Sequence, residues 1–267
     1  MADPLVSVIV PCKNSEEFLY KVLRSLEFQT YINKEVIIVD NYSTDRTKEI
    51  AQQFEVKYIC QGTERATQDN IGIREARGKL IWLTGSDMVA DDDYIEKAVA
   101  KIKEGYDAIY ASVLTDHLVR HFWGKVKALE RKCYIGDNLI ESARFFRKDV
   151  WEYLGGFDEK LIQVEEDFQH KLDKCGFHTT RISAREYHLH EERSLKTVFK
   201  KHVYYGRYCR HYLKVHGSRG VHQLLPARSA FFRNWRLLAR HPILTAGLII
   251  YKVVQYAGGL WGLKLSR

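Results

Sequence analysis

Short apolar runs alternate with amphipathic stretches through about the first 115 residues of the chain. Val6 to Val10, Val36 to Val39 and Leu80 to Leu83 are uninterrupted apolar runs of the kind that buried strands show. Between the first two runs, apolar residues recur at helical spacing: Phe18, Leu19, Val22, Leu23 and Leu26. This alternation predicts βα units and an α/β fold with a mostly parallel sheet flanked by helices.

Further elements follow from the same pattern. Ser15 is the predicted cap of the first helix, and Ser43 or Thr44 that of the second. The remaining predicted elements of this part are a strand near Val56 to Ile59, a helix ending at Gly78, a helix starting at Asp91 to Asp93 and a strand at Ala108 to Tyr110. Beyond residue 115 the pattern is less regular and predicts helical segments at 149–154 and 166–175.

The end of the chain has a different pattern. A basic helix with interleaved aromatic residues is predicted from residue 196, and a second basic amphipathic run follows Pro226. Residues 243 to 263 are almost wholly apolar, after a break at His241 and Pro242. We therefore predict three parts: a compact domain over 1–195, basic interfacial helices over 196–241 and a transmembrane or membrane-inserted helix over 242–267.

The apolar segment allows two interpretations. At about 1.5 Å per residue it is long enough to cross a hydrocarbon layer of about 30 Å, either spanning or deeply inserted. Alternatively it is a core helix, or forms the interface of a homo-oligomer. Lys252 within it would be costly in lipid and requires a partner or water. More basic residues precede the segment than follow it, which favours a cytoplasmic compact domain.

Charge is distributed unevenly along the chain. Residues 193 to 267 contain 15 Lys or Arg and no Asp or Glu, whereas residues 1 to 192 contain 27 basic and 34 acidic residues. This asymmetry predicts an anionic partner for the C-terminal part, such as a membrane surface, a lipid phosphate or a nucleic acid. The aliphatic residues at 243 to 250 speak against nucleic acid. The five cysteines form no C-x-x-C pair, so we expect neither a disulfide framework nor a zinc site.

Polar residues follow three of the predicted strands. Pro11 to Asn14 end the first, Asp40 to Asp45 the second and Thr84 to Asp87 the fourth. Ligands of open α/β sheets bind at the carboxyl ends of the strands, so these three ends are expected to form one polar crevice.

Four segments in this order resemble family 2 of the glycosyltransferases, which have the Rossmann-like GT-A fold. They read "VSVIVPCKNSEEFL", "QTYINKEVIIVDNYSTDRTKEIA", "NIGIREARGKLIWLTGSDM" and "GGFDEKLIQVEEDFQHKL". The resemblance covers about residues 5 to 210 and is specific only when the four segments are taken together. It implies an enzyme that transfers a sugar from a nucleotide donor.

The resemblance implies a nucleotide pocket lined by Pro11, Asn14 and Glu16, with Asp40 accepting hydrogen bonds from the base and Ser86 as a further substrate contact. The other interpretation of Asp40 is a turn residue before a helix. Asp45 is expected to be structural.

The family's D-x-D motif falls on Gly85-Ser86-Asp87, so its first aspartate is replaced by glycine. The resemblance implies that Asp87 ligates Mg²⁺ or Mn²⁺ bridging the donor diphosphate, and that His188 or His190 completes the site. Either histidine could instead be an ordinary polar residue.

The segment Glu165-Glu166-Asp167 matches the family's acidic pair before a helix. The resemblance implies Asp167 as the catalytic base of an inverting transfer and Glu166 as a substrate contact. Acids that favour a helix N-terminus are the alternative. Arg207, in a loose version of a Q-x-x-R-W motif, would reach a phosphate or is one charge on a solvated face.

The predicted function is a membrane-associated inverting glycosyltransferase. Our best estimate is mannose transfer from GDP-mannose to a polyprenyl- or dolichyl-phosphate-linked glycan at the cytoplasmic side. A UDP-sugar-dependent transferase with a polysaccharide or other acceptor is the alternative. A sugar-nucleotide nucleotidyltransferase is disfavoured because Pro11 to Ser15 contain no glycine to hold a triphosphate. A non-enzymatic basic binding module is the remaining possibility.

Overall fold

A computed structural model describes residues 3–115, 119–137, 140–161, 164–190, 193–224 and 228–266. Its strands are β1 (Val6–Cys12), β2 (Lys34–Asp40), β3 (Lys57–Cys60), β4 (Leu80–Leu83), β5 (Met88–Ala90), β6 (Ala108–Thr115), β7 (Ala143–Arg147) and β8 (Thr179–His188). Its helices are α1 (Leu19–Glu27), α2 (Thr47–Ala51), α3 (Arg65–Arg74), α4 (Tyr94–Lys103), α5 (Phe122–Tyr134), α6 (Lys148–Tyr153), α7 (Val164–Cys175), α8 (Leu195–Gly206), α9 (Cys209–Leu224), α10 (Ser229–Arg233), α11 (Trp235–Arg240) and α12 (Pro242–Leu265).

The strands of the described residues form one sheet in the order β3-β2-β1-β4-β7-β6-β8-β5. The pairs β1–β2, β1–β4 and β2–β3 are parallel, which the βα alternation of the sequence predicts. The pairs β4–β7, β6–β7 and β5–β8 are antiparallel and come largely from residues beyond the regular part of the pattern. The predicted α/β class is confirmed, and the sheet is mixed.

Several elements differ from their predicted limits. The first helix begins at Leu19 and not at Ser15, whose backbone N–H donates to the Thr47 hydroxyl at 2.7 Å and whose own hydroxyl contacts Ser86. Ser15 therefore ties loops together where a helix cap was expected. β5 and β7 were not predicted, because strands of three to five residues carry too little periodicity to be distinguished from loops. The helix α5 was not predicted either.

The core of the sheet is built from the apolar runs of the sequence. The side chains of Val6, Val8 and Val10 are fully buried, and the Trp82 ring stacks on Tyr94 with 4.4 Å between centroids. On the other side of β1, Gly72 of α3 lies so close to Ile9 that an added Cβ would overlap it. The absent side chain lets α3 pack directly on the sheet and fixes the chain that leads into β4.

The chain divides into two compact units. The first unit comprises Met1–Ser112, Ser142–Glu159 and Val164–Leu189, and the C-terminal unit comprises Val113–Glu141, Lys160–Gln163 and His190–Arg267. The functional divisions predicted at residues 195 and 241 stay predictions. Within the C-terminal unit, α12 is, among the described residues, the helix whose length and composition would allow it to cross a membrane.

Candidate functional site

The ends of β1, β2 and β4 lie at one edge of the sheet. Parallel pairing places Cys12 of β1 opposite Asp40 of β2, and Ile9 of β1 opposite Leu83 of β4. Beyond the strands, the hydroxyl of Ser15 lies 2.8 Å from that of Ser86. The convergence of the three polar segments is therefore present, and Ser86 is part of it.

The loops after β1 and β2 hold each other through Asn14 and Glu16. The Asn14 N–H donates to the Ser43 hydroxyl at 2.7 Å, and the Thr44 N–H donates to Asn14 Oδ1 at 2.9 Å. Asn14 adopts a φ of 48°, a left-handed conformation that asparagine tolerates well. The Arg46 N–H donates to Glu16 Oε2 at 3.1 Å. Asn14 and Glu16 thus shape an exposed rim, and their contact with a nucleotide stays a prediction.

Pro11 is buried in β1 and lies opposite Val39. Next to it, the side-chain amide of Gln68 donates to the carbonyl of Cys12 at 2.9 Å and to that of Val39 at 2.6 Å. Gln68 from α3 therefore fixes both strand ends. Pro11 is therefore part of the buried strand end beneath the loops, and its contact with a nucleotide stays a prediction.

The carboxylate of Asp40 is only 1% exposed and accepts hydrogen bonds from within the protein. Oδ2 accepts from the Ser43 N–H at 2.9 Å and from the Tyr58 hydroxyl at 2.8 Å, and Oδ1 accepts from the Ser43 hydroxyl. Burial, followed by the charge and hydrogen bonds of Asp40, raises the pKa of the Cys12 thiol and of Tyr58. This arrangement fits the turn-forming interpretation of Asp40 at least as well as base recognition, which stays a prediction. Asp45 accepts from the Thr47 N–H at 3.0 Å, in keeping with its expected structural role.

Asp87 and His188 are brought together by the pairing of β5 with β8. Met88 lies opposite His188, and the Leu189 N–H donates to the Asp87 carbonyl at 2.8 Å. As a result, His188 Nδ1 lies 3.2 Å from Asp87 Oδ2, and both side chains are partly exposed. Two residues predicted to bind metal thus share one place, although 101 positions separate them in the sequence.

The described residues contain no group of three or more His, Cys, Asp or Glu side chains arranged for a metal ion. A carboxylate and an imidazole nevertheless suit Mn²⁺ when a diphosphate supplies further oxygens, so the residues present fit a divalent ion held jointly with the donor. Gly85 contributes space, because a Cβ there would lie 3.0 Å from Asp87 Oδ1. An aspartate at the first position of the motif would therefore press on the second.

Glu165 is engaged by two arginines. Arg65 contacts its Oε1 at 2.6 Å, and Arg144 contacts its Oε2 at 2.9 Å. Burial by itself would raise the pKa of Glu165, but the charges of Arg144 and Arg65 lower it to about 2. Arg144 also lies 3.6 Å from Glu186, which accepts from the indole N–H of Trp82 at 3.2 Å. Glu165 is thereby held as a carboxylate between two arginines and is not a candidate base.

The next two carboxyl groups have different surroundings. Asp167 is 2% exposed, and its Oδ2 lies 2.8 Å from Lys171 Nζ, which also donates to the Gly156 carbonyl at 3.3 Å. Glu166 is partly exposed, and burial followed by the charge of Glu165 raises its pKa. Asp167 is thus held as an ion pair beside the Gly155-Gly156 turn, whereas Glu166 is poised to bind a proton more readily.

Asn70 fixes the segment that precedes these acids. Its side-chain amide donates to the Phe157 carbonyl at 3.0 Å and to Glu159 Oε1 at 2.9 Å, while its Oδ1 accepts from the Phe157 N–H at 3.0 Å. The segment "GGFDE" is therefore attached to α3 at both its backbone and a side chain.

His190 and Arg207 belong to the C-terminal unit, unlike the other predicted site residues. Both side chains are exposed, and Arg207 directly follows the last residue of α8. Their roles in metal and phosphate binding stay predictions.

The sequence did not reveal Arg65, Arg144 and Lys171 as the residues that form ion pairs with the acidic segment 165–167. The Lys171–Asp167 pair has the spacing of one helical turn and could have been found from it. The arginines could not, because Arg65 and Glu165 are 100 residues apart and no local pattern relates them.

The fold and these motifs have counterparts among known proteins. The model of the family described as "Glycosyl transferase family 2" matches residues 7–161, which is more than half of the chain. The chain belongs to glycosyl transferase family 2. Its GT-A fold and its resemblance to that family, both predicted from the sequence, are confirmed.

An individual glycosyltransferase is similar over a comparable share of the chain. The glycosyltransferase AglE of Haloferax volcanii is 34% identical over 177 residues, which are 60% of this chain and 58% of the relative. The chain thus spans less than two thirds of that relative's length.

Two solved structures share the fold. A mannosyltransferase of Pyrobaculum calidifontis, in complex with GDP-Man and Mn²⁺, is 17% identical with a TM-score of 0.65, over 97% of this chain and 88% of that one. TarS of S. aureus, in complex with UDP-GlcNAc, is 20% identical with a TM-score of 0.56, over 88% and 75% respectively.

Proposed function

We propose that this family 2 protein is an inverting glycosyltransferase that moves a sugar from a nucleotide donor to a lipid-linked acceptor. The observation that carries the proposal is the approach of His188 to within 3.2 Å of Asp87 Oδ2, at the edge of the sheet where three strand ends converge. A carboxylate and an imidazole at this edge suit a metal–diphosphate group, and family membership supplies the sugar transfer.

In this proposal the donor diphosphate lies over the loops after β1 and β4. A divalent ion bound with it would be held by Asp87 and His188 and would offset the negative charge that develops on the departing nucleoside diphosphate. Ser86, fixed by Ser15, would orient the donor through its hydroxyl group.

Asp167 acts as the base of the reaction. The acceptor hydroxyl attacks the anomeric carbon, the bond from that carbon to the diphosphate oxygen breaks, and Asp167 Oδ accepts the hydroxyl proton. The attack comes from the face opposite the diphosphate, so the anomeric configuration inverts. Lys171 holds the Asp167 carboxylate in place through the ion pair at 2.8 Å.

GDP-mannose is the proposed donor. The Pyrobaculum mannosyltransferase, which shares the fold, was solved with GDP-Man and Mn²⁺, and this favours it as the first donor to test. A UDP-sugar is the second candidate, because TarS, with a similar fold, was solved with UDP-GlcNAc.

The acceptor is proposed to be a polyprenyl- or dolichyl-phosphate-linked glycan at the cytoplasmic face of a membrane. This follows from the C-terminal unit, whose residues 193–267 carry 15 basic and no acidic residues together with the apolar α12. A lipid acceptor carries a phosphate and lies in a bilayer, so it matches both features.

The first test measures donor hydrolysis and transfer with a panel of GDP- and UDP-sugars in the presence of Mn²⁺ or Mg²⁺. We expect turnover with GDP-mannose and an inverted product. Absence of turnover with every donor would refute the enzymatic proposal, and turnover only with UDP-sugars would replace the donor assignment.

A second test separates the two candidate bases. Asp167→Asn should lower kcat by about 10³-fold or more with donor affinity retained, while Glu166→Gln should leave measurable turnover. The reverse result would identify Glu166, whose pKa is raised by burial and by the charge of Glu165, as the base.

A further inference from the structure

The C-terminal unit buries one face of α12 against α5 and α8. Gly206 of α8 and Gly262 of α12 have no room for a Cβ, because each would overlap backbone atoms of the other helix. On α5, Phe122 and Val126 lie within 3 Å of a Cβ placed at Gly247. Gly247 and Gly262 of α12 therefore serve contacts within this chain, because they let α5 and α8 pack closely on α12.

Lys252 and Gln255, two polar residues in the middle of α12, face the same side. Lys252 forms an ion pair with the buried Glu130 of α5, and Lys127 contacts the same carboxylate at 2.7 Å. Gln255 Nε2 lies 2.7 Å from His202 Nε2 of α8. Lys252, whose charge would be costly to bury in lipid, thus has an ionic partner within the C-terminal unit.

The opposite face of α12 is an exposed apolar stripe. Its members are 51 to 75% exposed: Ile243, Ile249, Ile250, Val253, Leu260 and Trp261. From Ile243 to Trp261 the stripe is about 27 Å long, at about 1.5 Å per residue. A continuous apolar surface of this length on a soluble protein generally marks a contact with a partner or a membrane.

Arginines and aromatic side chains lie just before the stripe in α10 and α11. Phe232 and Trp235 are 72% and 60% exposed, and Arg233, Arg236 and Arg240 alternate with them. A second copy that docked through the same surface would bring its own arginines to it, and residues 193–267 contain no acidic residue to pair with them. An anionic lipid surface offers both negative charge and an apolar interior, so it is the occupant that the chemistry fits.

The helices packed on α12, namely α5 and α8, limit how α12 can be oriented in that lipid. Gly258 of α12 lies against the Phe199 carbonyl, which places the exposed Lys200 and Lys201 of α8 beside the last third of α12. On α5, the exposed Lys125 and Lys132 flank the helix turns that contact Gly247 and Lys252. If α12 crossed a bilayer with its neighbours attached, these lysines would enter hydrocarbon, at about 2.5–3.5 kcal/mol each near the centre.

We propose that α12 lies in the plane of an anionic bilayer surface, with its apolar stripe inserted from one side and its other face held by α5 and α8. This inference rests on the membrane association in the proposed function. It differs from a spanning helix in that α12 enters the bilayer from one side only. Both ends of α12 then stay on the same side of the membrane.

Flotation of the full chain on sealed vesicles tests the surface. With phosphatidylcholine containing phosphatidylglycerol we expect binding, and with phosphatidylcholine alone at least about tenfold less. The double variant Ile250→Ser/Val253→Ser should bind at least about tenfold more weakly. Its matched control, Val215→Ser/Val221→Ser, removes two similarly exposed apolar residues of α9 and should bind normally. Equal binding of both double variants, or absence of binding, would overturn the inference.

Protease accessibility in sealed cell-membrane vesicles tests the orientation. With epitope tags before Met1 and after Arg267, an in-plane α12 leaves both tags on the same side of the membrane. Cleavage of one tag and protection of the other would show a spanning helix and overturn the inference. Donor hydrolysis in detergent is measured in parallel, so loss of the proposed enzymatic function is distinguishable from loss of the anchor.

Discussion

At the scale of single residues, the carboxyl groups of the candidate site are distinguished by their partners. Glu165 is bound by two arginines, Asp167 by one lysine, and Asp87 approaches a histidine. Acids that look alike in the sequence are therefore placed in different electrostatic surroundings.

Lys171 is expected to position Asp167. Lys171→Gln should lower kcat by about 10- to 100-fold with a nearly unchanged KM for the donor, because the base loses both its cation and the link to the Gly156 carbonyl. Lys171→Arg should restore part of the rate, and an unchanged kcat in Lys171→Gln would contradict this role.

His188 is expected to contribute to binding of the divalent ion. His188→Gln should raise the Mn²⁺ concentration needed for half-maximal activity by about tenfold or more, because one of two protein ligands is lost. The measurement is a Mn²⁺ titration of donor hydrolysis. His178→Gln, which changes an exposed histidine, is the control, and equal titrations for the two variants would refute the assignment.

Asp69 is expected to make stability depend on pH. Burial raises its pKa to about 7, whereas an unfolded chain has a value of about 3.9. Between these values the folded protein binds a proton that the unfolded protein releases, so stability falls as pH rises from about 4 to about 7.

The substitution Asp69→Asn removes the ionisable group and with it this loss of stability at higher pH. Relative to the native chain, the variant's free energy of unfolding, from urea denaturation, should be about 2–3 kcal/mol larger at about pH 8 than at about pH 5, so the variant gains relative stability as pH rises. Asp92→Asn, at an exposed position, should show no such change. A pH-independent difference for Asp69→Asn would contradict the argument.

At the scale of elements, close packing of α8 on α12 depends on where glycines fall. A Cβ at Gly262 would overlap the Val203 carbonyl, whereas a Cβ at Gly259 meets nothing within 4 Å. Both residues lie in the same helix, so both would gain helix propensity from alanine.

Gly262→Ala should therefore destabilise the C-terminal unit by about 1–3 kcal/mol, because overpacking forces the helices apart. Gly259→Ala should be neutral or stabilising by up to about 1 kcal/mol. Thermal unfolding followed by circular dichroism compares the two. Equal effects would show that packing of α8 against α12 does not limit stability.

At the scale of the whole molecule, the two units divide the proposed work. The first unit carries the strand ends and the acidic segment, and the C-terminal unit carries the basic charge and the apolar stripe. Each has its own buried cluster of apolar side chains. A change on the stripe should therefore affect access to a lipid and not the chemistry.

Ile250→Ser/Val253→Ser should lower transfer to a lipid-linked acceptor in vesicles by about tenfold or more, because the enzyme then binds the bilayer more weakly. Donor hydrolysis in detergent should stay within about twofold of the native rate. Equal losses in both assays would mean that the stripe supports the fold of the first unit and not membrane contact.

The sequence by itself determined the parts of the fold that depend on local pattern. The apolar runs of β1, β2 and β4 are long enough to predict buried strands, and the break at His241 and Pro242 coincides with the start of α12. Four sequence motifs in the family's order predicted family 2. The excess of Lys and Arg over Asp and Glu from residue 193 onward predicted the basic end of the chain. All of these are properties of short segments or of composition.

Only the tertiary structure decided how distant residues act on one another. It paired Asp87 with His188, enclosed Glu165 between Arg65 and Arg144, and gave Lys252 its partner Glu130. These pairs are brought together by strand order and helix packing, which hydrophobic periodicity does not encode. For the same reason β5 and β7 escaped prediction, because their identity as strands depends on the partners they hydrogen-bond to.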